Sequence, residues 1–511
     1  MRHTSASTAS AALALALGAT LLAVPPAPDS AAAEAGPASR LSATYDCLNK
    51  ELAGRATCGY LTVPLDHAEP AGTKIKLGLA IIPATAPKAQ RLGLLVVNAG
   101  GPGAPGLTWA GTMADLLGPA LAARYDILGL DPRGVGSSQP RLTCDPNYKK
   151  GPRPDYTPTT GRTGPLSATE KTWLAKAKAY AAACAKKYPA LLPHMTTLDN
   201  ARDLEALRKG FGQEKISFFG FSYGSYLGQV YATKFPTRLR RMVLDGIADP
   251  RDVWYPAQLK QSEGLEVGIR QFWGWVARNH AAYGLGATAT DVRARYLREK
   301  ARLRTSPVGR VGPAEWTDVF LDAAYYRRTW PNIAAAFKAW VHGDRAALTK
   351  RWDKAAGVGV DTGTVMYLAS TCTDAAWPRD YATWRRDAFG IVADAPFETW
   401  GNVWDNAGCL YWPVRGGTPV TVGTSKAPGS LMLTATLGGA TPYTGALEAR
   451  RRFPTARLVV EVGGTTHTIS TTGNTCVNRR IVDYLRDGKL PAKATGNRAD
   501  LGCTQVPLPK P

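Results

Sequence analysis

The stretch KISFFGFSYGSYLGQVYATKFP, residues 215–236, decides the fold. It opens on a short, almost continuous apolar run, the mark of a buried strand. It closes on residues spaced like a helix. Between them stands GFSYG (220–224), which matches the G-x-S-x-G pattern. A serine placed where a strand turns sharply into a helix must sit on a strained backbone with crowded neighbours. Gly220 and Gly224 supply the room. Ser222 is then lifted out of the turn at a helix N-terminus, where developing negative charge is favoured. Ser222 is therefore the candidate nucleophile.

A serine nucleophile needs a base and an oxyanion site. The chain has six histidines. His3 lies in the N-terminal leader, His67 in a hairpin turn, and His194 ahead of the nucleophile strand. His280 and His342 fall in a helical block. Only His467, in VVEVGGTTHTIST (459–471), follows the last strand signal, where a base belongs when the chain order is Ser, acid, His. For the oxyanion, NAGGPGAPG (98–106) follows an earlier strand. Gly101 there and Tyr223, the residue after the nucleophile, are the candidate backbone donors.

Working outward, CGYLTVPLDHAEPAGTKIKLGLAIIPA (58–84) alternates like two strands around a Pro/Gly turn. LGLLVVNAGGPGAPG, YDILGLDPRGVGSS and RLRRMVLDGIADP each read as a strand running into a loop, and TTLDNARDLEALRKGFG as a capped helix. This alternation predicts an α/β protein with a mostly parallel sheet and helices on both faces. From 251 to 425 tryptophans crowd in and strand signals fade. The pattern resumes with SLMLTAT at 430 and RLVVEV at 457. The predicted organisation is a core from 40–250 and 426–511, with a helical cap at 251–425 inserted before the last strands. Core packing is the expected role of the cap's tryptophans.

Residues 1–35 read as a secretory signal: Arg2, an apolar run from Ala11 to Val24, then small residues in SAAAEA. Export puts the eight cysteines in an oxidising compartment, and an even count there favours disulfides. Sequential pairing, 47–58, 144–184, 372–409 and 476–503, is expected because each pair closes a local loop. No zinc-type CxxC spacing occurs, so no metal is expected, and an acyl-enzyme route on Ser222 needs no cofactor. The formal charge of +22 is spread over scattered Lys and Arg. That distribution reads as a solvated basic surface rather than a nucleic-acid site, and no later stretch is long and apolar enough for a membrane span.

Six segments stand in a telling order: NAGGPGAPG, YDILGLDPRGVGSS, GFSYGSYLGQVYATKFP, RMVLDGIADP, ATPYTGA and GGTTHTIS. With this set the chain resembles the secreted actinomycete tripeptidyl aminopeptidases of the α/β-hydrolase fold, relatives of the prolyl aminopeptidases, over roughly 45–505. The resemblance implies a serine exopeptidase that releases short peptides from free N-termini, with Ser222 and His467 in the nucleophile and base roles. One departure is serious. The family usually reads GxxDPxTP after the strand at 430–436. Here the loop reads TLGGATP, and Gly438 stands where the family's catalytic Asp would be.

The acid orients the imidazole and stabilises its charged form. Three accounts of its loss remain open. Another carboxylate substitutes, with Asp245 at the end of RMVLDG the tentative acid and Asp249 a second option. Or a Ser–His dyad serves an easier substrate, an ester or lactone. Or the chain is a catalytically impaired binding homologue. An aminopeptidase also needs carboxylates for the substrate's ammonium. Glu315, Asp318 and Asp322 are candidates, and helical spacing puts Asp318 and Asp322 on one face. The expected partner is a peptide or a small ester.

Overall fold

A computed structural model describes residues 37–47, 49–355 and 361–511. The leader at 1–35 lies outside the described residues. Ten strands form one sheet: β1 (Ser42–Asp46), β2 (Thr57–Pro64), β3 (Lys74–Ile82), β4 (Gly93–Asn98), β5 (Tyr125–Asp131), β6 (Ile216–Phe221), β7 (Leu239–Asp245), β8 (Leu431–Ala435), β9 (Arg457–Val462) and β10 (Leu501–Thr504). Their order is β1-β2-β3-β5-β4-β6-β7-β8-β9-β10. The first three strands, and the β3–β5 pair, run antiparallel; from β5 to β10 every neighbour is parallel.

The central strands are buried on both faces, which is why they read as apolar runs rather than alternations. The two-residue period still sorts their side chains. Phe218, Leu244 and Met432 enter one core; Phe219, Val243 and Leu433 enter the core on the opposite face. The helix Thr197–Gly210 starts where Thr196 accepts a hydrogen bond from the Asp199 amide.

Register positions the site. Phe221 pairs with Asp245, and Asp245 with Leu433. The chain therefore leaves β6, β7 and β8 at the same edge, the carboxyl end of the parallel strands, where such sheets bind ligands.

Between β7 and β8 the elements among the described residues are all helices, the last ending at Tyr411, and an irregular stretch, 412–430, leads into β8. Trp275, Trp316, Trp330 and Trp340, each 2% exposed or less, fill a core of their own there. This block touches the sheet's carboxyl edge closely. A Cβ on Gly439 would come within 2.6 Å of the Gly264 carbonyl, so helix and loop meet backbone to backbone.

Sequence reading assigns 145–190 to the core, but this segment packs on the helical block. Asp361 accepts from the amides of Cys144 and Asp145 and from the Tyr180 hydroxyl, each at 2.8 Å. Arg153 pairs with Glu315 at 2.5 Å, and Trp173 stacks on Trp404. Nothing local in 145–190 announces this, because its partners lie some 150 to 250 residues downstream. The four disulfides join 47–58, 144–184, 372–409 and 476–503, the sequential pairing expected. Among the described residues no helix is long and apolar enough to cross a membrane.

Candidate active site

Ser222 follows β6 and caps the start of the helix Tyr223–Lys234, with φ 54° and ψ −121°. Among the described residues only three non-glycine positions have positive φ: Ala43, Ser222 and Thr468. Two of these three are at, or directly after, the residues singled out as nucleophile and base. Strain of about 1–3 kcal/mol at each is held by the surrounding fold. The elbow admits no bulk at its flanks. A Cβ on Gly224 would lie 2.6 Å from Asn98 Oδ1, and one on Gly100 would lie 2.4 Å from the Phe221 carbonyl. The glycine-rich loop after β4 is thus pressed against the nucleophile turn.

That contact positions the candidate oxyanion donors. Asn98, 1% exposed, accepts from the Gly100 N–H at 3.0 Å and fixes the loop. Gly101 and Tyr223 both line the cavity that Ser222 faces. Tyr223 is the first residue of its helix, so its N–H has no acceptor within the helix. Pro102, Trp254, Gln258, Tyr367 and Thr441 line the same cavity.

His467 follows β9 and is 4% exposed. Its backbone N–H donates to the Tyr325 carbonyl at 2.8 Å, and the Tyr325 ring stands edge-on to the imidazole 5.6 Å away. The helical block therefore helps to hold the imidazole. β7 links the two residues. The Ser222 N–H donates to the Asp245 carbonyl at 2.8 Å, and a Cβ on the next residue, Gly246, would sit 2.8 Å from His467 Cε1. No hydrogen bond joins Ser222 Oγ to the imidazole in this structure; such bonds are often long at rest and tighten with substrate.

The tentative acid does not touch the imidazole. The Asp245 carboxylate, fully buried, accepts from the Ile469 amide at 2.9 Å and from the Ser470 amide at 2.8 Å and hydroxyl at 2.5 Å. Burial pushes its pKa up to about 6, against the pull of these bonds. Its place is beneath the loop that carries His467. Asp249, the second option, is bound to Arg251 at 2.6 Å. What faces His467 Nδ1 is Thr441 Oγ1, at 3.4 Å. Burial, and then the Arg328 cation, hold the imidazole pKa down to about 4. No carboxylate counters them. Asp245→Asn should lower the denaturant midpoint by an amount corresponding to about 1–3 kcal/mol, since an amide cannot accept from three donors. Its kcat should change less than tenfold. A large fall in kcat at unchanged stability would make Asp245 the acid after all.

The candidate ammonium ligands are also committed elsewhere. Asp318 binds Arg153 and the Tyr156 hydroxyl, Asp322 binds Arg351 at 2.6 Å, and Glu315 binds Arg153. Two carboxylates missed by sequence reading are less occupied. Glu398 is 2% exposed and its Oε2 has no partner. Burial, then Asp318 and Asp405, push its pKa well above the usual carboxylate range. Asp405 lies seven residues on, two helical turns along the same face, and burial raises its pKa too. Tyr325, against His467, feels both groups, and Tyr367, in the wall of the Ser222 cavity, feels Asp405. FETW at 397–400 and WDNA at 404–407 look like any polar helix surface in sequence; only the packing buries Glu398 and half-buries Asp405. Thr441 had a signal, its place beside the absent Asp in TLGGATP.

A mostly parallel sheet, a serine on a strained strand-to-helix turn and a histidine after a later strand define a serine hydrolase of α/β-hydrolase architecture. Residues 93–356 match the family model described as alpha/beta hydrolase fold, and 395–498 the one described as TAP-like protein. A tripeptidyl aminopeptidase of Streptomyces lividans is 39% identical over 466 residues, covering 89% of this chain and 84% of the relative. Serine protease Hip1 of Mycobacterium tuberculosis is 28% identical, covering 86% and 87%. Carboxylesterase B of the same organism is 28% identical, covering 85% of each chain. The chain belongs to the tripeptidyl aminopeptidase family of α/β hydrolases.

Proposed function

We propose that this protein is a secreted aminopeptidase that releases tripeptides or other short peptides from free N-termini through an acyl-enzyme. The observation that carries this reading is the cavity shared by Ser222, Gly101 and Tyr223, with Glu398 Oε2 buried without a partner in the helical block. Ser222 Oγ attacks the scissile carbonyl carbon, and His467 takes the hydroxyl proton. The amides of Gly101 and Tyr223 hold the oxyanion. The C–N bond breaks as the imidazolium returns the proton to the leaving amine. Water then attacks the acyl carbon by the same proton path and frees Ser222. Thr441 accepts from Nδ1–H and keeps Nε2 available as the basic nitrogen, which is the tautomer the reaction needs. It carries no negative charge, so it stabilises the imidazolium less than a carboxylate would.

Glu398, with Asp405 beside it, is the anchor for the substrate's ammonium, in place of Asp318 and Asp322. A terminal cation would satisfy the buried carboxylate and bring the chain's end to a fixed distance from Ser222. Cleavage of residues 1–35 and export to an oxidising compartment agree with the four disulfides.

A second reading, an esterase on the same site, is favoured by one observation: Gly438 leaves the base without a carboxylate, and esters demand less of it. The test uses the mature protein, a fluorophosphonate probe, a tripeptide anilide, its N-acetylated form and simple esters. The proposal expects labelling of Ser222, turnover of the free-amine anilide and poor turnover of the acetylated one. It also expects Glu398→Gln to lower kcat/KM for the free-amine substrate by about 10- to 100-fold while sparing the acetylated form, because only the former brings the cation. Labelling with ester turnover alone selects the esterase. An unlabelled protein would sink both and leave a binding homologue.

A further inference from the structure

Gln258 lies in the helix Tyr255–Arg278 and is 5% exposed. Its side chain lines the cavity that holds Ser222, Gly101 and Tyr223. Both ends of its amide, Oε1 and Nε2, are buried without a hydrogen-bond partner. Buried polar atoms are paired in the great majority of cases, and a side chain with both ends unpaired requires a reason.

The rest of the cavity wall sharpens the contrast. Gln261, one turn along, gives its amide to the Ala440 carbonyl at 3.1 Å and ties the helix to the loop before Thr441. The Trp254 indole N–H donates to Asp374 at 3.0 Å, and the Tyr367 hydroxyl to Asn406 at 2.9 Å. Even the backbone of Gln258 is used: its carbonyl accepts from Ser262 Oγ at 2.9 Å and Asn402 Nδ2 at 3.2 Å. The backbone is anchored and the side-chain amide is held ready.

We propose that Gln258 is the residue that reads a peptide group of the substrate, its Nε2 donating to a carbonyl oxygen while its Oε1 accepts from an amide N–H. A carboxamide has one donor side and one acceptor side in a plane, the complement of a secondary amide. An ester offers a carbonyl but no N–H, so Oε1 stays buried and unpaired. A site built to pair a group rejects the analogue lacking it. Gln258 thereby selects peptides over esters at the site whose assignment as a peptidase this inference rests on, and it offsets in binding part of what the missing acid loses in chemistry.

The test measures binding on Ser222→Ala protein, so that substrates survive, with a tripeptide anilide and two depsipeptide analogues. Each analogue replaces one internal amide N–H by an ester oxygen. The expected result is that one analogue binds about 10- to 100-fold more weakly than the peptide. That gap closes when Gln258→Met is added, because the peptide then loses both hydrogen bonds to the carboxamide and the analogue only the one to its carbonyl. Met is unbranched and similar in size, so the helix and its packing are retained. Should that protein fail to fold, Gln258→Asn, which withdraws the amide by one methylene, is expected to close the gap likewise. Equal binding of peptide and both analogues would overturn the proposal. So would a gap that persists without Gln258, or a failure of the peptide to bind. Turnover by the unmodified protein separates the two levels: a peptide bound with the predicted preference but never cleaved would refute the peptidase and leave the role of Gln258 standing.

Discussion

Gly438→Asp is expected to raise kcat for a tripeptide anilide by about two to four orders of magnitude, because removal of the acid from a serine protease triad costs about that much. The loop can take the side chain. Gly438 is not among the positive-φ glycines, and its Cβ would meet only the Ala435 carbonyl at 3.3 Å, with Ala435 Cβ at 3.6 Å and the Thr441 carbonyl at 3.8 Å. A shift of a few tenths of an ångström suffices. The neighbouring Gly439 could not do the same, because its Cβ would strike Gly264.

The substitution also has a signature in pH. His467 is held at about 4 by burial and then by Arg328. A carboxylate within hydrogen-bond reach favours imidazolium and raises that value. The acid limb of kcat/KM should lie near pH 4 in the natural protein and move up by a unit or more in Gly438→Asp. Stability follows the same sign. The folded pKa lies below the ordinary 6.5, so the unfolded chain binds the proton first. The contribution of His467 is complete above pH 6.5 and is lost as pH falls towards 4. A rise in kcat without movement of the acid limb would mean that the new carboxylate acts on something other than His467. No rise at all would mean that Thr441 already holds the ring as well as an acid could.

Ser222→Ala is the second large effect, and its size is informative. In a complete triad, loss of the nucleophile lowers kcat by about 10⁶, while loss of the acid alone lowers it by somewhat more than 10⁴. Where the acid is already missing, Ser222→Ala should therefore lower kcat by only about 10²-fold. The loss should grow to about 10⁴-fold or more when measured in the Gly438→Asp background. Triad members act as a unit, so these effects do not add. Covalent labelling by a fluorophosphonate should vanish in both backgrounds. Equal losses in the two backgrounds would show that position 438 does not couple to the nucleophile. Retained labelling would show that Ser222 is not the nucleophile.

The architecture was legible because its signals are local. The buried run before GFSYG, the apolar stretch at 430 and the strand–helix alternation each depend on neighbours within a dozen residues. Steric demand at an elbow likewise leaves a local trace, a glycine on either side of Ser222. Cysteine pairing was legible for a similar reason, since each bridge closes a loop of 11 to 40 residues. The glycine in TLGGATP, where the family usually has its Asp, was visible too.

The fate of each carboxylate was decided in three dimensions. Asp245 stands at a strand end beside the nucleophile, where an acid could serve. Yet its oxygens are taken by amides more than 220 residues away. Asp318 and Asp322 share a helical face, as their spacing requires, but arginines from elsewhere neutralise them. Glu398 and Gln258 carry no mark in their own segments. Folding buries Gln258 in the wall of the nucleophile's cavity with both ends of its amide unpaired, and leaves Glu398 Oε2 buried without a partner. A motif records what the backbone must do locally. Whether a polar side chain is spent on structure or left free for a substrate depends on which distant groups arrive within 3 Å of it, and that is a property of the packed chain.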